Sequence, residues 1–346
     1  MSEVTEMYDR LYAMLHTIVP AVELRYKAEL AVEINRLKKE RNAVILGHNY
    51  MEPALFHSVP DFVGDSLELS RRAATTEADI IIFCGVKFMA ETAKILNPGK
   101  TVLLPAEKAG CSLAESITAA DVRALRAQFP GVPVVTYVNT YADVKAESDI
   151  CCTSGNAVAV VNSLGSDTVI FLPDEYLASN VARETGKTIL FPRPADDSMP
   201  KPVLQPGAML GWRGRCEVHE KFTVKDIQAV RTQFPDVVIL AHPECSPEVT
   251  AASDFAGSTG AMIRYIEQND APQYLLLTEC SMGDNIIAAH PDKNMLRLCM
   301  VRCPHMNLIT LEQTLEALRQ TRYVIEVPEQ IRVRAAKAVE RMIAIG

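Results

Sequence analysis

The chain lacks any run of 18 apolar residues, and it lacks an excess of basic charge: 43 acidic residues face 35 basic ones, for a formal charge of −8. The first absence leaves no candidate transmembrane helix, and the second removes nucleic acid and anionic membranes as main partners. The opening stretch, MSEVTEMYDRLYAMLHTIVP, carries acids from Glu3 onward and no unbroken apolar core, so no signal peptide is expected and the protein is read as cytoplasmic. Neither GxxxxGK[ST] nor GxGxxG occurs, which leaves a nucleotide cofactor without support. Nine cysteines are present, at 84, 111, 151, 152, 216, 245, 280, 299 and 303. An odd number in a reducing compartment suits metal binding or buried free thiols better than a disulfide framework.

What is present is ample core material. With 48% hydrophobic and 23% charged residues and a mean hydropathy of +0.06, the 346 residues read as two or three globular units. An anionic substrate would have to be met by a local pocket.

Self-similarity organises those units. Three apolar runs end in polar or aromatic clusters: AVILGHNY (43–50), PVVTYVNT (133–140) and VVILAHPE (237–244). After each, a small hydroxylic motif opens an apolar helical stretch: Asp65-Ser66, Thr153-Ser154 and Gly257-Ser258-Thr259. The spacings agree: 18 residues from His48 to Ser66, 17 from Tyr137 to Ser154, 16 from His242 to Ser258. A second run follows in each unit (ADIIIFCGV, DTVIFLPDE, QYLLLTEC), then a third (KTVLLPAE, KTILFPRP, NMLRLCMV) leading to a cysteine. Ser66 to Cys111 and Ser258 to Cys303 each span 45 residues; Ser154 to Cys216 spans 62, and the Pro-rich FPRPADDSMPKPVLQPGAML is read as a loop insertion.

This pattern predicts an α/β protein of three homologous three-layer α/β/α units with parallel sheets around a pseudo-threefold axis, plus terminal helices. The divisions are 1–30 (helical), 31–118, 119–222 and 223–310 (the α/β units) and 311–346 (helices, the last beginning near Pro328).

A threefold arrangement brings Cys111, Cys216 and Cys303 to one point. Three thiolates leave one coordination position open, and soft thiolates select zinc or an iron-sulfur cluster, so a catalytic zinc and a [4Fe-4S] cluster with one free iron are both open readings. His219, three residues past Cys216, is placed as ligand, base or supporting donor. His48 and Tyr50, Tyr137 and Asn139, and His242 and Glu244 stand at strand ends, where α/β proteins bind ligands, with Glu244 a candidate base and Tyr50 and Tyr137 candidate proton donors. The hydroxyls of Ser66, Ser154, Ser258 and Thr259, at helix openings, could hold a small anion without cationic side chains.

These motifs together resemble the quinolinate synthase family from about residue 40 to 310: GHNYMEP, GDSLELS, CGVKFMAETAKIL, KAGCSLAE, VTYVNT, CCTSGNAV, GRCEVHE, AHPEC, GSTGAMI and CPHMN stand in that family's order. The resemblance implies an enzyme of de novo NAD synthesis, a transferase that condenses iminoaspartate with dihydroxyacetone phosphate to quinolinate with loss of phosphate and water. It also implies a [4Fe-4S] cluster on Cys111, Cys216 and Cys303 acting as a Lewis acid, and transient contact with the enzyme that supplies iminoaspartate. By the same resemblance His48 and Tyr50 look like triose-pocket residues. Tyr137, Asn139, His219 and Glu244 look like residues around the chelated substrate, and Ser66, Ser154, Ser258 and Thr259 like carboxylate and phosphate holders. In one respect the chain departs: some members carry a CxxC pair just before the last ligand, whereas here the spacing is Cys299-x3-Cys303, so a redox switch on that pair is not expected.

Two other readings predict different behaviour. A three-unit iron-sulfur protein resembling the diphthamide-synthesis enzymes would act on a protein substrate. A non-catalytic iron-sulfur or zinc redox sensor would have no need of Tyr137 or Glu244.

Overall fold

The computed structural model describes residues 2–192, 205–297 and 301–345, and its strands form three separate, all-parallel sheets. The first holds β1 (Ala43–His48), β2 (Phe62–Gly64), β3 (Ile80–Cys84) and β4 (Thr101–Leu103) in the order β2-β1-β3-β4. The second holds β5 (Val134–Tyr137), β6 (Ile150–Cys152), β7 (Val169–Leu172), β8 (Thr188–Leu190) and β9 (Ala208–Gly211) in the order β6-β5-β7-β9-β8. The third holds β10 (Val237–Ala241), β11 (Phe255–Ala256), β12 (Gln273–Leu277) and β13 (Met295–Leu296) in the order β11-β10-β12-β13. Helices between successive strands cover the sheet faces, so the central strands are continuous apolar runs; every residue of β3 and β7 is buried. The expected threefold α/β architecture is therefore the observed one.

Two features differ from the reading of the sequence. Each sheet has a short edge strand, β2, β6 or β11, that no hydrophobic period announces because it is two or three residues long. The insertion read as a loop also contributes a strand. Residues 193–204 lie outside the described residues, but Ala208–Gly211, apolar and wholly buried, pairs with β7 on one side and β8 on the other. The strand leading to Cys216 is thus β9, and Thr188–Leu190 is displaced to the edge. In the third unit, residues 298–300, which include Cys299, are likewise outside the described set.

A ring closes through the helices that follow the cysteines. Ala119–Gln128, Val224–Gln233 and Leu311–Gln320 each begin eight residues after Cys111, Cys216 or Cys303, and each is capped by a threonine (Thr118, Thr223, Thr310) that accepts the backbone N–H three residues on. Val122 and Leu125 pack on the second sheet with Val134 and Ile170, and Ile227 and Val230 on the third with Val237 and Ile239. The third helix returns to the first unit: Leu311, Leu315 and Leu318, at i, i+4 and i+7, share a core with Leu24, Ala28 and Ala31 of helix Ala21–Glu40. Thr314 meets Cys84 of β3 there (Oγ1 to Sγ 3.7 Å). The final helix, Glu329–Ile343, starts immediately after Pro328.

Candidate active site

All three first strands run out at one place. β1 ends in His48-Asn49-Tyr50, β5 in Tyr137-Val138-Asn139, and β10 is followed by His242-Pro243-Glu244. The cavity between them has a volume of about 70 Å³. These strand-end residues line it, apart from Asn49, Val138 and Pro243, and so do Ser66, Ser154, Thr259, His219 and the three cysteines 111, 216 and 303. Ser258 is brought close without facing the cavity: its hydroxyl donates to Asp65 Oδ2 (3.1 Å) and accepts from the Ala261 N–H (3.3 Å).

Of the helix openings, the first and third stand where the sequence places them and the second starts later. Asp65, not Ser66, caps helix Ser66–Thr75, its Oδ1 accepting the N–H groups of Leu67 and Glu68. Ser154 sits in a turn, and helix Ala157–Ser163 opens behind Asn156, whose Oδ1 accepts from the backbone of Thr153. Ser66 and Ser154 therefore reach the cavity free of capping duty.

Glu244 is the hub of the polar wall. Tyr137 O–H donates to its Oε1 (2.6 Å), the Asn139 amide donates to the same oxygen (3.2 Å), and His219 Nδ1 lies 2.6 Å from Oε2. His219 Nδ1 is also 3.2 Å from Cys216 Sγ, because the short 3-10 turn His219–Lys221 folds back over the cysteine. Burial pushes Glu244 towards neutrality, but His219 and the hydrogen bonds from His219 and Tyr137 outweigh it and hold the carboxyl well below the usual range. Asp174, fully buried at the cap of helix Glu175–Thr185, goes the other way, lifted by burial and then by the Glu244 charge. Only Glu244 of these two carries charge.

The two strand-end histidines share a device. His48 Nδ1 accepts from the Tyr50 N–H (3.2 Å) and His242 Nδ1 from the Glu244 N–H (3.3 Å), which places the ring hydrogen of each on Nε2. Burial lowers their pKa values, to about 4 for His48 and about 3 for His242, so both are neutral donors at pH 7. Burial, and next the Glu244 charge, raises the Tyr50 and Tyr137 phenols well above their ordinary range. His219 and His242 stack with ring centroids 4.5 Å apart.

Cys111, Cys216 and Cys303 arrive from the segments after β4, β9 and β13. Burial raises their thiols, Cys111 to about 12, Cys303 to about 11, and Cys216 well above its ordinary value. Among the described residues lining the cavity there is no Lys or Arg. Nothing cationic in that wall offsets three thiolates, and a bound metal centre supplies what it lacks, so the donor set fits such a group. The donor atoms within 4.8 Å of one another are those of Cys216, His219 and Glu244, which could hold a metal ion; the three thiols do not form such a tight set, as suits a centre larger than one ion. Cys84, Cys151, Cys152 and Cys245 are buried free thiols.

Thr278 and Glu279 were missed by the reading of the sequence. They follow β12, and their signal was the polar end of QYLLLTEC, the one second strand that closes in a hydroxyl and a carboxyl. Glu279 lines the cavity, and burial raises its pKa to about 7. Thr278 Oγ1 lies 2.6 Å from Tyr50 OH and 2.9 Å from His219 Nε2.

Comparison with known proteins agrees with this geometry. The family model described as quinolinate synthetase A protein matches residues 32–344. The chain is 53% identical over 335 residues to quinolinate synthase 2 of Mesorhizobium japonicum, covering 97% of each protein. It is 52% identical to quinolinate synthase of Sinorhizobium medicae, covering 97% of this chain and 88% of the relative. With quinolinate synthase of Xylella fastidiosa it shares 53% identity over 90% of this chain and 86% of the relative. An enzyme with three parallel sheets around one cysteine-lined cavity, this chain belongs to the quinolinate synthetase A family.

Proposed function

We propose that the enzyme condenses iminoaspartate with dihydroxyacetone phosphate to quinolinate, releasing phosphate and water, in the cytoplasm as part of de novo NAD synthesis. In this reading Cys111, Cys216 and Cys303 hold a [4Fe-4S] cluster, and units 31–118, 119–222 and 223–310 each supply one ligand. The observation that carries it is the meeting of three thiols from three sheets with the Glu244 cluster in one cavity. The reaction joins carbon to carbon and carbon to nitrogen and expels phosphate and hydroxyl oxygen. It is redox-neutral overall, so the cluster is needed only to supply a Lewis-acidic iron.

The protein's own groups do the rest. His48 and His242 offer Nε2–H donors and Ser66, Ser154 and Thr259 offer hydroxyls, so a dicarboxylate and a phosphate are recognised without a competing cation; Ser258 holds Asp65 in place beside them. Tyr50 and Tyr137, kept protonated, are placed to donate. A carboxylate held as low as Glu244 is a weak base alone, so proton transfers are assigned to the pairs Tyr137–Glu244 and His219–Glu244, with Asn139 orienting the shared carboxylate. Transient docking of the iminoaspartate-producing enzyme would shorten the life of a hydrolysable imine in water.

The test is iron and sulfide content with quinolinate formation on anaerobically prepared protein, beside Cys111→Ala, Cys216→Ala and Cys303→Ala. Four irons and turnover, both lost in each variant, support the reading. One zinc per chain in place of iron would overturn it and favour a single ion on Cys216, His219 and Glu244, whose donors are already close.

A further inference from the structure

The turns that leave the three first strands are held in the same register. Counting from His48, Tyr137 and His242, the backbone carbonyls one and three residues on share a single side-chain nitrogen in every case. Asn285 Nδ2 donates to Asn49 O (3.2 Å) and Met51 O (2.9 Å). Lys145 Nζ donates to Val138 O (2.8 Å) and to Thr140 O. Asn180 Nδ2 donates to Pro243 O (2.9 Å) and Cys245 O (3.1 Å). The residue between the two carbonyls is Tyr50, Asn139 or Glu244. All three clamping side chains are at most 4% exposed.

A carbonyl can only accept, so each amide must turn its nitrogen to the pair, and an NH2 group has one hydrogen for each oxygen. The amide oxygen of Asn180 is met from the other side by the Thr250 hydroxyl (2.8 Å). Asn180 and Asn285 both stand eight residues beyond the end of a second strand, β7 or β12, and both reach out of their own unit into the next. The same place in the first unit is Thr92, whose one hydroxyl hydrogen goes to Phe88 O within its own helix (2.8 Å). Lys145, at the end of helix Ala142–Lys145, supplies the donors that Thr92 does not.

We propose that Asn180, Lys145 and Asn285 are positioning residues, each pinning the main chain on both sides of one strand-end residue and so aiming Glu244, Asn139 and Tyr50 into the cavity. None of the three lines the cavity, so they act through the residues they hold. The kinetic part of this inference rests on the proposed reaction; the geometric part does not.

Asn180→Leu keeps the size of the side chain and removes both donors. On cluster-loaded protein it should retain iron and sulfide, leave KM within about two-fold and lower kcat on the order of ten- to a hundred-fold, as misplacing a reacting group by up to about 1 Å does. In the Glu244→Gln background the same substitution should cost less than about three-fold, because the group it aims is already gone; a general loosening of the fold would cost the same in both backgrounds. Crystals of Asn180→Leu should show Glu244 withdrawn from His219 and Tyr137. Full kcat in Asn180→Leu, an undiminished loss beside Glu244→Gln, or an unmoved Glu244 would each overturn the proposal. If Asn180→Leu does not fold, Asn285→Leu with Tyr50→Phe runs the same cycle on the first unit and is decided by the same outcomes. Should the parent protein make no quinolinate, the reaction reading falls, and the crystals still decide whether the clamps hold their residues.

Discussion

The first and third strand ends are built alike and the second is not. His48 and His242 each spend Nδ1 on the backbone N–H two residues on, and each turns Nε2–H to the cavity; the second unit has Tyr137 at that position, whose hydroxyl reaches Glu244. Two residues further the three units diverge completely, into Tyr50, Asn139 and Glu244. The backbone repeats while the polar atoms specialise, and the single charge at that second position, in the third unit, is shared by three side chains of the second, Tyr137, Asn139 and His219. A threefold frame thus yields an asymmetric site.

Removing that charge should break the comparison most severely. Glu244→Gln keeps the size of the side chain, but it leaves His219 and Tyr137 without a carboxylate; kcat should fall on the order of a thousand-fold with iron content retained. Full quinolinate formation by this variant would end the assignment of proton transfer to the Glu244 pairs.

Acid tests the histidine device next. Unfolded His48 takes up its proton near its ordinary 6.5, whereas folded His48 does so only at about 4. Between those values the unfolded state binds more protons, so each step of acidification favours unfolding; the loss begins below about pH 6.5 and is complete near pH 4. For His48 alone it amounts to about 3 kcal/mol, and buried His242 and half-buried His57 act in the same direction. Denaturant midpoints from pH 7 to 4.5 should show the decline, and His48→Gln should flatten it. A midpoint indifferent to pH over that range would contradict neutral burial.

A smaller effect separates binding from chemistry. His48→Asn and His242→Asn each remove one neutral donor, and each should raise KM about ten-fold with little change in kcat, unlike the Glu244 variant. Equal losses of kcat in all three would erase the distinction between the histidine ends and the charged end.

How much of this was legible follows from where the information resides. The offsets of 45 residues picked out Cys111 and Cys303 and, with the longer second unit, Cys216, because a triplicated frame places equivalent residues at equivalent depths. The strand-end residues were readable for the same reason. Edge strands such as Phe255–Ala256 were not, since two residues have no period, and Ala208–Gly211 was hidden by the prolines before it. Thr278 escaped because its partners, Tyr50 and His219, come from the other two units, and nothing in QYLLLTEC encodes them. The capping by Asp65 was masked by the adjacent Ser66, which carries the same preference.

The helices behind the cysteines offer the mildest comparison among the units, and one internal to the scaffold. Thr118 and Thr223 are in reciprocal boxes: Asp121 Oδ2 accepts the Thr118 N–H and Asp226 Oδ2 the Thr223 N–H, both at 2.8 Å. Thr310 caps helix Leu311–Gln320 from one side only, accepting the Gln313 N–H at 3.3 Å. Replacing each threonine by Ala should cost about 1 kcal/mol wherever it stands. The partner residues should divide the units: Asp121→Ala and Asp226→Ala should cost about 1 kcal/mol, and Gln313→Ala less than about 0.5. Denaturant melts of the three single variants measure this directly. An equal cost at Gln313 would mean that the ring closes on the first unit with the same cap as the other two, rather than through the packing of Leu311, Leu315 and Leu318 against helix Ala21–Glu40.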